Sequence, residues 1–403
     1  MRIVRDRIER AHAPEARSAQ VAEIIAAVRA GGDEVVRSLS ERFGGAAPAE
    51  LRVTPDADSA SPELLRALGT AIANVRAVAE AGLREPVAVD LPEGQRVEVA
   101  EEPVRRAAIY VPGGRAPYPS TVVMGAVTAR VAGVDEVVVA SPAGVDGLPH
   151  PVVLAACALC GVDEVYAIGG AQAIAALAYG TESVAPVDVV AGPGNAWVTE
   201  AKRQVFGQVG IDGLAGPSEL VVIATHHVQP EDLVYDLLAQ AEHGDDSPVW
   251  LISPEAMLLI AVPKLIEELA RERPSVADAE LMLVRARDPD DALRIAEEIA
   301  PEHLQLAGFM AESLAPRVRR AGCVFIGLGA GTAFGDYVAG SNHVLPTGGA
   351  ARYASGLGVG TFRRRMARVS LPGESAARLA PAGAVLARAE GFPVHAESME
   401  RRA

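Results

Sequence analysis

Four short stretches hold side chains able to move protons or hold a cation. Pro301-Glu302-His303 places a carboxylate beside an imidazole. Pro301 pushes Ala300 out of helical geometry and ends the preceding helix there. Adjacent residues on the resulting loop can aim at one pocket, which a helix or strand does not readily permit. Glu plus His is then an acid–base couple, and equally a solvated loop pair. Gln240-Ala-Glu-His243 offers Gln240 and His243 on one helix face, an i, i+3 spacing that can chelate a metal. A surface His before the helix stop Gly244 is the commoner use of that position. Gly335-Asp336-Tyr337 through Gly340-Ser-Asn-His343 holds an Asp and a His seven apart in a Gly-rich stretch, where Asp also forms turns. Glu390-Gly-Phe-Pro-Val-His395 sits in the last residues, where frayed tail is the ordinary expectation.

A second group of residues suits an anion. Tyr110-Val-Pro-Gly-Gly114, Gly169-Gly-Ala-Gln172 and Gly192-Pro-Gly-Asn195 each follow an apolar strand pattern. Glycines let a backbone approach a phosphate, and a following helix N-terminus favours negative charge. Each also serves as a plain turn. Neither a G-x-G-x-x-G nor a P-loop signature occurs, so a nucleotide would bind in an unusual way. Cys157-Ala-Leu-Cys160 has redox spacing but lies in an apolar helix without a second pair, which reads as core packing.

The elements that must position these residues follow from periodicity. The first hundred residues read mainly as helices, at 21–29, 33–43 and 61–83. From residue 107 the pattern changes to strand, loop, helix. Gly133-Val-Asp-Glu-Val recurs as Gly161-Val-Asp-Glu-Val, and Val187-Asp-Val-Val is a fainter copy. Asp135, Asp163 and Asp188 are thus 28 and 25 residues apart, one β-α unit each. Continuous apolar runs imply strands buried on both faces, and right-handed crossovers give a parallel Rossmann-like sheet. Strand patterns return at 219–224, 249–253, 281–284, 304–307 and 323–326, with helices at 230–243, 254–272, 289–299 and 311–320. From 361 an Arg cluster precedes a helix at 374–389.

Length and composition bound the partners. At roughly 150 residues per domain, 403 residues make two to three domains. A net charge of −15 argues against nucleic-acid or anionic-membrane binding. Residues 361–403 alone are basic, with eight Arg against four Glu, as suits an arm docking on a neighbouring subunit. Three Cys, no long apolar run and a charged N-terminus without a signal-peptide core fit a cytoplasmic protein.

Taken in order and spacing, these segments resemble the histidinol dehydrogenase family from about residue 12 to 400. The departures are a Gly-Thr-Ala-Phe run before Gly335 and a short N-terminus. The resemblance implies an α/β fold of two incomplete Rossmann-like parallel-sheet domains without G-x-G-x-x-G, plus a helical C-terminal arm. The first domain would comprise 1–109 and 218–360 and carry the metal and acid–base residues. The second, 110–217, would contact NAD, and 361–403 would cross to the partner of a homodimer.

It further implies one zinc ion per subunit held by Gln240, His243, Asp336 and His395. Glu302 and His303 would be the acid–base pair. Histidinol would contact Ser218, Gln240, His243, His303, Asp336, His343, Glu390 and His395. NAD, two per turnover, would contact Tyr110, Gln172 and Asn195, and the active site would be shared across the dimer. The implied reaction is four-electron oxidation of histidinol to histidine through a bound aldehyde. A related zinc- and NAD-dependent dehydrogenase of another amino- or sulfo-alcohol is the alternative, and a binding protein that has lost catalysis is a third reading.

Overall fold

The computed structural model describes residues 1–5, 17–44, 47–58, 60–113, 116–276 and 278–403. Gly114 of the first Gly-rich turn and most of the charged N-terminal stretch lie outside them. The described strands are β1 (Arg2–Arg5), β2 (Arg52–Val53), β3 (Val87–Asp90), β4 (Arg96–Pro103), β5 (Arg106–Tyr110), β6 (Glu136–Ala140), β7 (Glu164–Tyr166) and β8 (Val189–Ala191). The chain continues through β9 (Gly210–Ile211), β10 (Leu220–Ala224), β11 (Val249–Ser253), β12 (Glu280–Arg285), β13 (His303–Ala307), β14 (Cys323–Ile326) and β15 (Arg363–Ser370).

They form two six-stranded sheets and one three-stranded sheet. In the first large sheet the order β1-β12-β11-β10-β13-β14 is parallel throughout. In the second, β2-β7-β6-β5-β8-β9, only the edge strand β2 runs antiparallel. Without the edge strands β1 and β2, each sheet has its first strand in chain order in the middle, and the order of strands reverses there, as in a Rossmann-type sheet. The expected α/β class and paired parallel sheets are therefore present.

Burial explains the order. All five residues of β5, β10, β11 and β13 are buried. A fully buried Val, Leu or Ile side chain contributes about 1.5–3 kcal/mol, so such runs occupy sheet centres. Each large sheet separates two apolar layers. The repeated aspartates act as staples: Asp163 accepts from the Val137 amide at 2.8 Å, and Asp188 from those of Arg105 and Arg106 at 3.0 Å. Each thereby ties the start of one strand to its neighbour.

The N-terminal segment departs from its expected place. Of residues 1–109, only β1 joins the sheet of β10–β14. The helix Ser18–Gly44 packs on the helices Gly170–Tyr179 and Ala196–Val205, and β2 pairs with β7. The central strand β5 itself belongs to the second sheet. The cause is the apolar face Val21, Ile24, Ile25, Val28 and Val36, which is buried in the layer covering that sheet.

The arm is helical, with Gly373–Ala389 and Pro393–Glu400, but it opens with a strand. β15 pairs antiparallel with β4, and β4 with β3. Arg363, Arg365 and Arg368 pair with Glu98, Glu101 and Glu102 of the same chain. The basic charge of the arm is thus matched in part within its own subunit. Apolar side chains remain exposed there: Val369, Val385, Leu386, Phe392 and Val394. The expected helix at 311–320 is reduced to Phe309–Glu312 and a 3-10 turn Ala315–Arg317, where Pro316 removes a donor. No helix of the described residues is long and apolar enough to cross a membrane.

Candidate active site

Two sets of residues gather at opposite edges of the two large sheets. At the amino edge of the first sheet, Ser218 and Glu219 lead into β10 and Glu302 leads into β13, where Leu220 lies opposite His303. Ala300 is left-handed at φ 51°, outside the right-handed helical region that Pro301 disfavours, and this turn delivers Glu302 and His303 to the strand start. The helix Pro230–Ala241 runs back from the far edge, so its C-terminal end brings Gln240 and His243 to the same place. The helix Thr332–Tyr337 supplies Asp336.

The polar contacts form a chain. Gln240 Nε2 donates to Ser218 Oγ at 2.9 Å, and that hydroxyl donates to Glu302 Oε2 at 2.7 Å. The Glu219 amide donates to the same oxygen at 2.9 Å. The His303 ring lies between two carboxylates, with Nδ1 3.7 Å from Glu302 and Nε2 3.7 Å from Asp336. Those distances exceed hydrogen bonding. His303 Nδ1 is buried with no partner among the described residues.

Burial sets the protonation states. It pushes the Glu302 carboxyl up to about 7, against the opposing bonds from Ser218 and the Glu219 amide. Burial lowers His303, which Asp336 partly offsets, so the imidazole is held neutral and able to accept a proton. Burial raises Asp336 to about 6 and lowers His243, with His303 adding to the latter shift. Such perturbed groups in one place are the signature of a working site. Glu219, which the sequence reading left without a role, is pushed up to about 7 by burial and by Glu302.

His343 is half-buried, and desolvation lowers it to about 4. Its Nδ1 lies 2.8 Å from the Asp336 carbonyl and must donate to it, so Nε2 accepts from Thr121 Oγ1 at 3.1 Å. Both ring nitrogens are therefore engaged within the chain. Glu390 and His395 are exposed on the arm, His395 against Phe392. The groups shown acting on His303 and Asp336, namely Glu219, Glu302 and these two on each other, all lie outside the arm. One chain brings together Ser218, Gln240, His243, Glu302, His303, Asp336 and His343, and leaves Glu390 and His395 apart.

The donor chemistry suits a cation in part. Gln240 spends its amide N–H on Ser218, which leaves Oε1 as a ligand atom. Asp336 is a half-buried carboxylate whose desolvation a cation would relieve. Yet no set of three or more His, Cys, Asp and Glu able to hold a metal occurs among the described residues. Gln240, His243 and Asp336 amount to three ligands where a tetrahedral zinc site takes four.

The second set lies at the carboxyl edge of the other large sheet. A cleft of about 480 Å³ is lined by Tyr110, Gln172 and Asn195 together with Ser40, Phe43 and Trp197. The three residues expected to touch a dinucleotide thus share one cleft. Tyr110 Oη accepts from the Gly170 amide at 3.0 Å, and Asn195 caps the helix Ala196–Val205 through Oδ1. Phe43 and Trp197, stacked at 6.5 Å, were not singled out from the sequence. They are 154 residues apart, and no local pattern joins them.

The family model for histidinol dehydrogenase matches residues 8–403. The chain belongs to the histidinol dehydrogenase family. It is an oxidoreductase, and the family serves histidine biosynthesis. It is 44% identical to a histidinol dehydrogenase of Parasynechococcus marenigrum over 94% of this chain and 89% of that protein. It is 43% identical to that of Zymomonas mobilis over 96% and 92%. The crystal structure of the Elizabethkingia anophelis histidinol dehydrogenase superposes with TM-score 0.93 at 29% identity, covering 100% of this chain and 98% of that one.

Proposed function

We propose that the chain carries out the zinc-dependent, NAD-linked oxidation of L-histidinol to L-histidine through a bound aldehyde, a four-electron change. The observation that carries this is the buried Glu302–His303 pair beside Gln240, His243 and Asp336. Gln240, His243 and Asp336 would hold zinc with the partner's His395 as fourth ligand. When bound, zinc supplies Lewis acidity and a fixed seat for the amino alcohol, having no redox states of its own, and two NAD in turn would each take one hydride.

The chain's own residues handle the protons. Neutral His303 takes the alcohol proton as hydride leaves the carbon. Glu302, whose pKa near 7 leaves a usable carboxylate fraction at neutral pH, takes a proton from water as it adds to the aldehyde. His303, once it has given its first proton to solvent, serves the resulting diol as it served the alcohol. The amino edge of a buried sheet shields the aldehyde from escape. The exposed apolar side chains of the arm, and the separation of Glu390 and His395 from the other candidates, support a homodimer with shared sites.

Two NADH per histidinol, abolished by chelation and by His303→Asn, is the expected result. One NADH with released aldehyde would overturn it. Mixing His395→Ala with His303→Asn subunits restores activity if sites are shared. No recovery after demonstrated exchange removes the sharing. One observation leans toward another amino- or sulfo-alcohol: His343 offers no free nitrogen to an imidazole. A substrate panel decides, since turnover elsewhere without turnover of histidinol selects that reading.

A further inference from the structure

Gly192 opens the turn that ends at Asn195, and it is held in an unusual way. Its φ is +113°, and a Cβ there would stand 2.2 Å from the Tyr110 carbonyl oxygen. The backbone of the turn therefore presses on the very strand end that lines the cleft. Only glycine fits there, and what sets the turn is how its peptide groups are held.

A buried ion pair does this. The side chains of Lys202 and Asp212 are 3% and 5% exposed and bonded to each other. Asp212 Oδ2 accepts from the Gly192 amide at 2.7 Å, and Oδ1 accepts from the Gly213 amide at 2.9 Å. Lys202 Nζ donates to the Gly192 carbonyl at 3.0 Å. The pair thus grips both the N–H and the C=O of one glycine. Lys202 lies on the helix that Asn195 caps, so both ends of the turn are tied to that helix.

Composition shows that the lysine is a choice. Only two of the 37 basic side chains are lysine, and the other, Lys264, is exposed. Buried ion pairs ordinarily favour arginine, whose flat fork suits a carboxylate. A compact ammonium suits a narrow space between a carbonyl and a carboxylate. Burying the pair carries a desolvation cost that apolar residues of similar size would avoid. Geometric control of Gly192 explains why it is kept.

We propose that Lys202 and Asp212 are positioning residues for the dinucleotide, setting the Gly192–Asn195 turn so that Asn195 faces Tyr110 and Gln172 across the cleft. This rests on the reading that the cleft binds NAD. Asp212 also begins the segment that runs through Gly216 to Ser218. Thr199 Oγ1 holds that segment by donating to the Ala215 carbonyl at 2.8 Å. That bond holds the segment without the Lys202–Asp212 pair, so loss of the pair is read at the cleft.

The test uses Lys202→Met and Asp212→Asn in the full-length enzyme, with NADH binding read by fluorescence titration and both KM values read at saturation of the other substrate. The expected result is a rise of ten-fold or more in the NADH Kd and the KM for NAD, with the KM for histidinol within two-fold of wild type. A folded variant with unchanged NADH affinity, or with both KM values rising together, overturns the proposal. If Lys202→Met does not fold, Asp212→Asn is read alone. If neither folds, the pair is a folding determinant only and the proposal falls. Wild type that binds NADH but leaves histidinol untouched defeats the functional reading and not the clamp. Wild type that binds no NADH defeats both.

Discussion

The two large sheets share a strand order and use their edges in opposite ways. At the amino edge of the β5 sheet, Glu136 and Glu164 face a buried Arg106, which donates to Glu164 at 2.7 Å and to Tyr166 at 3.1 Å. Arg105 and Arg52 add further ion pairs. At the amino edge of the β10 sheet, Glu219 and Glu302 are more deeply buried and have no Arg or Lys among their shown partners. The pKa directions follow. Glu164 is lowered despite its burial, by Tyr166 and Arg106, whereas Glu219 and Glu302 are raised. One edge spends its carboxylates on holding strands together. The other keeps them able to gain and lose a proton.

That contrast breaks first where chemistry is proposed. Glu302→Gln and His303→Asn are each expected to lower kcat by about 10²–10⁴-fold, the usual worth of a general acid or base. The melting midpoint of the metal-free protein should stay level or rise, because a costly buried group is removed. A large fall in the midpoint with kcat preserved would make this edge structural too.

Arg106→Met is the mirror test. It leaves Glu164 and Glu136 with only the exposed Arg52 and Arg105 as counter-charges, at a cost of about 1.5–3 kcal/mol in unfolding free energy, the worth of a charged hydrogen bond. Denaturant titration measures it, and kcat per folded molecule should be unchanged.

The parts that sequence reading reached, and those it missed, divide along the same physical line. β5, β6, β10, β11 and β13 are buried on both faces, so each appears as an unbroken apolar run. β15 and β4 are mostly charged, and Arg363-Arg-Arg-Met-Ala-Arg reads as a basic cluster until its partners Glu98 and Glu102 are known. The site was legible only in combination. Glu302–His303 as a local pair suits a solvated loop as well as an acid–base couple, and only burial at the start of β13 separates the two. Glu219 carried no local signal, because its role depends on Gly348, whose amide donates to it at 3.0 Å from 129 positions away.

The pH dependence of stability sharpens the contrast. Glu219, raised from 4.5 to about 7, makes the folded state hold its proton more tightly than the unfolded chain. Stability is then greatest below pH 4.5 and declines as pH rises toward 7. Glu219→Gln in metal-free protein should therefore gain on the order of 2 kcal/mol at pH 8 and little at pH 4. Glu164 has the opposite sign: its contribution is present above the unfolded value of 4.5 and is lost as pH falls through the lowered folded value. Glu164→Gln should lower the midpoint at pH 8 and matter less under acid. Parallel pH profiles for the two variants would refute the distinction.

The carboxyl edges reverse the roles, and two glycines test this with small effects. In the β5 sheet this edge opens into the cleft, with Gly170 at φ +67° beside Gln172. In the β10 sheet it is packed shut, with Gly308 at φ +93° against Thr225 and Val228. A Cβ on Gly308 would stand 2.9 Å from both, whereas one on Gly170 would meet the movable end of Gln172 at 2.8 Å. Both alanine variants bear the strain of a positive φ, about 1–3 kcal/mol, and Gly308 with ψ 149° sits in a region only glycine ordinarily adopts. Gly308→Ala adds a clash inside a closed layer, so its cost should appear in the melting midpoint alone. Gly170→Ala displaces a side chain that faces the cleft, so a several-fold rise in the KM for NAD should accompany a smaller loss of stability. If Gly308→Ala also raises that KM, the closed edge of the β10 sheet takes part in binding, and the division of labour between the two edges fails.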